Sequence, residues 1–228
     1  LSNGKDRVEI MNHQERLAMF QRLETGAVTD AMVQLGVGSW MEGVYPTSPK
    51  MKVFGRAVTA QFSIVVPPQE PIDQFQLVSM CRPGDVLVWN VPHRGNICGE
   101  NIMHFLGNRQ VNGLIIDGYT RDKATIEEMG IPQFTKGISI APVPRNCRAT
   151  AKDVNVPVSC GGAVVNPGDY LFGDIDGVMV IPEASVDDVL LQAELNMEYE
   201  QRMEQALNQN ADYEGLQKVF ATKVLLKR

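Results

Sequence analysis

The sequence predicts an α/β fold built on a core sheet, and three observations carry that expectation. Runs of β-branched residues alternate along the chain with apolar stripes at helical spacing. Two Pro-Gly turns, Arg82-Pro83-Gly84-Asp85 and Asn166-Pro167-Gly168-Asp169, each deliver a short apolar run, Val86-Leu87-Val88 and Tyr170-Leu171-Phe172. Two matches are too few for a repeat array, so they are read as similar turn chemistry. The chain has 228 residues, 44% hydrophobic and 21% charged, enough to bury a core without disulfides or metals.

Asn12 to Leu23 reads as a helix with Leu17, Phe20 and Leu23 on one face. A second helix follows, with Thr25 as cap, a stripe of Ala27, Val28, Ala31, Met32 and Leu35, and Gly36 as its end. Gly36–Met51 carries glycines and prolines and is expected to be irregular. Val53–Val66 is β-branched and stops at Pro67-Pro68, giving one long strand or a pair; Ile72–Met80 is a short helix. Gly99–Gln110 is helical, followed by the strand Leu114-Ile115-Ile116 and a tight Asp117-Gly118 turn. The next helix runs from Arg121-Asp122 to Met129 and closes at Gly130 and Pro132. Asp153–Val165 and Gly177–Ile181 are further strands. Ser185 caps a long helix to about Leu207, striped by Val186, Val189, Leu190, Ala193 and Met197. Past Glu194 that helix is too charged to be buried in its own subunit, so it is solvated or lies across a neighbour.

The charge balance, 21 − 27 = −6, argues against a basic face for nucleic acid. No apolar run reaches the roughly 18 residues a membrane span needs. Leu1–Asp6 has no apolar leader core, and four cysteines without a CxxC pair (Cys81, Cys98, Cys147, Cys160) fit reduced thiols in the cytoplasm. With three histidines, a His-rich metal site cannot form within one chain. A divalent ion would be held by carboxylates and water, which favours Mg²⁺ or Mn²⁺ over Zn²⁺.

The informative stretch runs from Gly99-Glu100-Asn101 to Asp117-Gly118-Tyr119-Thr120-Arg121-Asp122. It brings two helix N-termini and the C-terminal end of a strand to one place. Free amides at a helix start bind carboxylates or phosphates, an arginine beside them clamps a planar anion, and Asp122 is a hard-metal ligand. From spacing alone, Arg121–Asp122 can equally be a structural ion pair capping a helix.

Glu100, twenty residues, then Arg121-Asp122 resembles the acid-X20-Arg-Asp signature of the RraA-like proteins that act as class II pyruvate aldolases on 4-hydroxy-4-methyl-2-oxoglutarate or 4-carboxy-4-hydroxy-2-oxoadipate. Other landmarks in order are Val28-Thr29-Asp30-Ala31 with Leu35-Gly36, Gly55-Arg56-Ala57-Val58-Thr59, Pro83-Gly84-Asp85, Gly130-Ile131-Pro132, Asn166-Pro167-Gly168-Asp169 and Val180-Ile181-Pro182. The resemblance implies a single β/β/α-type domain over 1–228, with N-terminal helices and a C-terminal helical extension, 185–228, on a neighbouring subunit. It also implies trimers or hexamers with active sites between subunits. Arg121 would bind pyruvate and stabilise its enolate, Glu100 would activate a water for proton transfer, and the amides of Asn101 and Ile102 would receive substrate. Asp122 would help hold Mg²⁺ or Mn²⁺, joined by Glu198, or Glu194 as second choice, from the neighbour's final helix. The implied activity is metal-dependent cleavage of a 4-hydroxy-2-keto acid to pyruvate and a second keto acid, with oxaloacetate decarboxylation alongside. The alternatives are a keto-acid decarboxylase or lyase with another substrate, or a non-catalytic regulator that binds a ribonuclease.

Two features depart from the family pattern. Thr125 stands where a carboxylate commonly follows Arg-Asp, and Asn101 and His104 interrupt an apolar run after the acid. His104 reads as a partly buried helix residue, His93 as an exposed loop residue, Cys98 as a buried structural cysteine, and Asp174/Asp176 as a turn and not a calcium loop. Gly36-Val37-Gly38 lacks a third glycine and a leading strand, so no nucleotide-binding loop is expected.

Overall fold

The structure is a computed structural model that describes residues 11–226, so the Leu1–Asp6 stretch lies outside the described residues. In chain order the elements are α1 (His13–Arg22), α2 (Thr25–Leu35), β1 (Ser39–Met41), β2 (Tyr45–Pro46), β3 (Val53–Gln61), β4 (Ser63–Ile64) and β5 (Pro71–Ile72). Then come α3 (Gln74–Ser79), β6 (Asp85–Asn90), β7 (Asn96–Cys98), α4 (Glu100–Asn108), β8 (Gly113–Thr120), α5 (Lys123–Met129), β9 (Gln133–Ile138) and β10 (Cys147–Thr150). The chain finishes with β11 (Val158–Cys160), β12 (Ala163–Val165), β13 (Tyr170–Asp174), β14 (Gly177–Ile181), α6 (Val186–Asn208) and α7 (Tyr213–Phe220). It divides into two compact units, residues 35–183 and a helical unit made of the segments on either side.

The larger unit is organised by a nine-stranded sheet in the order β1-β14-β13-β3-β6-β8-β9-β2, with β7 added beside β8. β3, β6, β8 and β9 run parallel, while β13, β14, β1 and β2 pair antiparallel at the flanks. The centre is parallel because its strands are apolar on both faces: Val86, Leu87, Val88 and Trp89 of β6 and Leu114, Ile115 and Ile116 of β8 are fully buried. The two Pro-Gly turns have the same local chemistry, as their similarity predicts. The Arg82 amide donates to Asp85 Oδ2 at 2.7 Å and the Asn166 amide to Asp169 Oδ2 at 2.8 Å, with Gly84 and Gly168 at φ 86° and 94°.

The helical unit holds α1, α2, α6 and α7. Asn12 and Glu15 form a reciprocal capping box on α1, Arg16 pairs with Asp187 at 2.7 Å, and the Asn196 side-chain amide donates to the Ala27 carbonyl at 3.1 Å. Val186, Val189, Leu190 and Ala193 of α6 are buried as expected, whereas Glu198 is exposed. No described helix is long and apolar enough to cross a membrane.

Several expectations change. The 36–51 segment contributes β1 and β2, edge strands too short to announce themselves by alternation. Thr25 is the first residue of α2 and Ser185 makes no side-chain cap bond on α6. Met19 joins Phe20 and Leu23 in burial where Leu17 is only half-buried. Within 153–165 the chain forms the β11–β12 hairpin, and β9, β10 and α7 add elements the sequence pattern did not reveal. Asp117-Gly118 is not a tight turn, because β8 runs through it to Thr120 with a register shift against β9 between Ile116 and Tyr119. The glycine is there for close approach, since a Cβ at Gly118 would lie 3.1 Å from Val91 Cβ.

Candidate active-site cleft

The carboxyl ends of β7 and β8 and the starts of α4 and α5 surround a cleft of about 210 Å³ lined by Gln74, Phe75, Asn96 to Ile102, Arg121 and Asp122. Strand carboxyl ends are where open α/β sheets gather ligand-binding groups. The Arg121 amide and the Thr120 hydroxyl both donate to the Cys98 carbonyl, at 3.1 and 3.0 Å, which locks the end of β8 onto β7. Glu100, Asn101, Ile102, Arg121 and Asp122 therefore share one cleft, as the sequence predicts.

Asp122 is the unusual residue. It precedes α5 in the left-handed region, φ 61° and ψ 33°, and makes no side-chain cap bond to its own helix. An aspartate tolerates that conformation better than most residues, but still at a cost of about 1 kcal/mol or more. Its carboxylate reaches across to α4, where Oδ2 accepts the Glu100 amide at 3.2 Å and lies 3.4 Å from Arg121 Nε. The structural-ion-pair possibility thus holds in part, but the helix served is α4. This approach needs Gly99, because a Cβ there would collide with Asp122 Oδ2 and sit 3.3 Å from Arg121 Nε. Gly99 itself offers no side-chain cap, and the Asn101 and Ile102 amides have no acceptor among the described residues, leaving two donors at the cleft.

Arg121 and Asp122 remain 56% and 33% exposed, so the guanidinium fork faces the cleft with most of its donors unused. Cys98 is buried, and burial pushes its thiol up to about 12, so it is no nucleophile. Among the described residues no three His, Cys, Asp or Glu side chains converge on a point that could hold a metal. Glu198 and Glu194 belong to the helical unit, where they line a depression with Arg22, Leu23, Met197 and Gln201. Thr125 is half-buried and does not line the cleft.

His104 is exposed and not partly buried, because it faces outward on α4 with Asn108 Nδ2 at 3.3 Å from its Nδ1. His93 is half-buried and lines a different cleft with Arg94, Asp117, Tyr119 and Lys136; Asp117 there pairs with Lys136 and accepts the Gly161 amide at 2.8 Å. Gln74, Phe75 and Asn96 also line the cleft, and no sequence pattern marks them as lining residues. The only available hint was the Asp73 cap that fixes α3, since its side chain accepts the Gln76 amide at 2.9 Å.

The sequence profile of the RraA-like family, described as Aldolase/RraA, matches residues 25–180. The chain belongs to the RraA-like family. Among curated relatives, a Halalkalibacterium halodurans protein named "Putative 4-hydroxy-4-methyl-2-oxoglutarate aldolase" is 27% identical over 198 residues, 85% of this chain and 89% of that protein. Further curated relatives, at 26–33% identity, are matched over 27–63% of their own length. The RraA-like fold is seen in an uncharacterized protein from Pseudomonas syringae pv. tomato, with TM-score 0.80, 24% identity and coverage of 94% of this chain and 99% of that one. It is seen again in Streptomyces coelicolor RraAS2, described as an unusual member of the RNase ES inhibitor RraA protein family. That match has TM-score 0.72, 24% identity and coverage of 82% of this chain and 95% of that one.

Proposed function

We propose that this RraA-like protein is a divalent-metal-dependent pyruvate aldolase that cleaves a 4-hydroxy-2-keto acid to pyruvate and a second carbonyl compound, and that decarboxylates oxaloacetate through the same enolate. The observation that carries this reading is the joint placement of Arg121, two free amides of α4 and the Asp122 carboxylate around one cleft.

The substrate carboxylate is received by the Asn101 and Ile102 amides, reinforced by the positive end of α4. Arg121 faces the 2-keto oxygen, where negative charge develops only as the C3–C4 bond breaks, so its guanidinium stabilises the transition state more than the ground state. The C4-hydroxyl proton leaves to water activated by Glu100, and the electron pair of the broken bond becomes the pyruvate enolate. Proton return to C3 through the same carboxylate completes the cycle. In oxaloacetate the C4 carboxylate leaves instead as CO₂.

The donor set fits a hydrated Mg²⁺ or Mn²⁺. Asp122 supplies hard oxygens but too few for a closed cage, which suits an ion that keeps several waters. Such an ion, when bound, would supply Lewis-acid stabilisation of the negative charge that develops on the substrate. Asp122 would hold it, with Glu198 from a neighbouring copy completing the set.

We further propose that residues 1–228 act as one domain whose 185–228 extension packs on a neighbour within a trimer or hexamer. In support, Leu207, Tyr213, Phe220, Val224 and Leu225 are all about half-exposed or more, and no residue of α7 is buried. The substrate is a small keto acid in the cytoplasm, without a nucleic-acid or membrane partner. Pyruvate release from 4-hydroxy-4-methyl-2-oxoglutarate and from oxaloacetate, first with Mg²⁺ and then with EDTA, tests this function. Turnover lost on chelation is expected; metal-independent turnover, or none from either compound, would contradict it and turn attention to ribonuclease inhibition.

A further inference from the structure

A second cleft, of about 290 Å³, opens beside the carboxyl ends of β6 and β8 and shares no lining residue with the first. Its size is close to the lower end of the range for small-molecule sites. His93 and Arg94 come from the loop between β6 and β7, Asp117 and Tyr119 from β8, and Lys136 from β9. The chain carries −6 in all, yet this lining sums to +1, Arg94 and Lys136 against Asp117, 2 − 1.

Asp117 is satisfied within the protein. Its Oδ1 pairs with Lys136, its Oδ2 accepts the Gly161 amide at 2.8 Å, and the side chain is only 13% exposed. One ammonium hydrogen serves that pair, and a lysine carries three, so Lys136 keeps donors for a ligand. Arg94 keeps its whole fork, because its side chain has no partner among the described residues. His93 and Tyr119, both half-buried, add an imidazole and a hydroxyl as neutral hydrogen-bonding groups.

The loop that carries His93 and Arg94 is pinned at both ends. The Val91 amide donates to the Asp117 carbonyl at 3.1 Å, and the Asn96 amide to the Ala141 carbonyl at 2.7 Å. Gly95 packs so closely on Pro142 that a Cβ there would lie 2.8 Å from its carbonyl carbon. A short loop held in this way presents its cation at low entropic cost, unlike a lysine or arginine on a mobile surface.

We infer that this cleft binds a small 2-hydroxy- or 2-keto-monocarboxylic acid. The Arg94 fork takes the planar carboxylate through paired hydrogen bonds, and the single negative charge cancels the +1 of the lining. The oxygen at C2 meets the hydrogen-bonding groups of His93, Tyr119 and Lys136, which a plain fatty acid could not use. The site stands on these groups alone and needs no reaction in the first cleft.

The test is a proton NMR titration of the full-length Arg121→Ala chain with L-lactate in EDTA, so that the arginine of the first cleft is silent and no metal takes part. Saturable binding with Kd about 1 mM is expected, with propionate, which lacks the C2 oxygen, about tenfold weaker. Adding Arg94→Gln should weaken lactate at least about tenfold, and adding Tyr119→Phe about threefold. Pyruvate should displace lactate, and equimolar phosphate should do so far less. No saturation by about 20 mM lactate, or lactate binding unmoved by Arg94→Gln, overturns the inference. Equal affinity for propionate, or displacement by phosphate as readily as by pyruvate, would make the cleft an unselective positive patch and overturn it too. The comparison of lactate with propionate decides even if the loop variant folds poorly.

Discussion

Two arginine–aspartate pairs, one at the start of β6 and one just past the end of the neighbouring β8, have opposite characters. Arg56 meets Asp85 at 3.2 Å, with the aspartate side chain 1% exposed and its second oxygen held by the Arg82 amide. Arg121 meets Asp122 at 3.4 Å, with both side chains well exposed and the aspartate backbone left-handed. In the first pair both carboxylate oxygens are engaged, by Arg56 and by the Arg82 amide, and the pair secures a turn, although it too borders a cleft. The second leaves its aspartate more open and carries backbone strain at the start of α5. Partnership and exposure, more than residue type, separate a structural ion pair from a candidate catalytic one.

Substituting each arginine–aspartate pair in turn tests this contrast. Arg121→Ala should lower kcat by about 10³-fold, because it removes the cationic side chain that the described residues supply to the cleft, and should shift Tm by no more than about 2 °C. Near-normal kcat would make the pair structural after all. Asp85→Ala should do the reverse, costing about 3 kcal/mol, or about 8 °C in Tm, by leaving Arg56 and the Arg82 amide without their acceptor. Denaturant melts against wild type would measure it, and a loss under about 1 kcal/mol would count against the contrast.

Gly99→Ala touches the second pair indirectly. The added methyl pushes Asp122 off the α4 amide and should lower kcat/KM about 10²-fold, with a smaller stability loss of about 1–2 kcal/mol. Steady-state kinetics beside a thermal melt would separate the two effects. The smallest effect concerns Glu200, a carboxylate with no arginine opposite it. Burial first, then the Glu24 and Asp30 charges, raise its pKa above the ordinary glutamate range. The folded chain then binds that proton more tightly than the unfolded one, so stability contributed by this group falls as pH rises through the folded value. Glu200→Gln should raise Tm by about 1 °C at neutral pH and give no gain in acid, read from melts across pH.

The sequence carried what is local at this site. Arg121, Asp122 and Glu100 could be grouped because a helix start, a strand end and the next helix start follow one another within a short span. Central strands such as Val86–Trp89 were legible because burial on both faces leaves an unbroken apolar run. What the pattern could not carry depends on distant contacts. Gln74 and Phe75 reach the cleft through the Gln74–Ile97 hydrogen bond and the Phe75–Phe105 ring contact, packing outcomes without a sequence period. Asp117-Gly118 has turn composition, yet the strand continues through it, and its glycine sits where a Cβ would crowd Val91. β9 is hidden in the sequence because Lys136 and Gly137 break its alternation, although Phe134 and Thr135 are buried in the sheet.

The most direct measurement is Mg²⁺-dependent deuterium exchange into the methyl group of pyruvate, followed by proton NMR for the wild type and Arg121→Ala. It reports enolate formation alone, free of any choice of substrate. Rapid exchange in the wild type, abolished by EDTA and by loss of Arg121, is the result this account predicts. Exchange that persists without Arg121, or none in the wild type with Mg²⁺ or Mn²⁺ present, would contradict the assignment of this cleft as the site where the enolate forms.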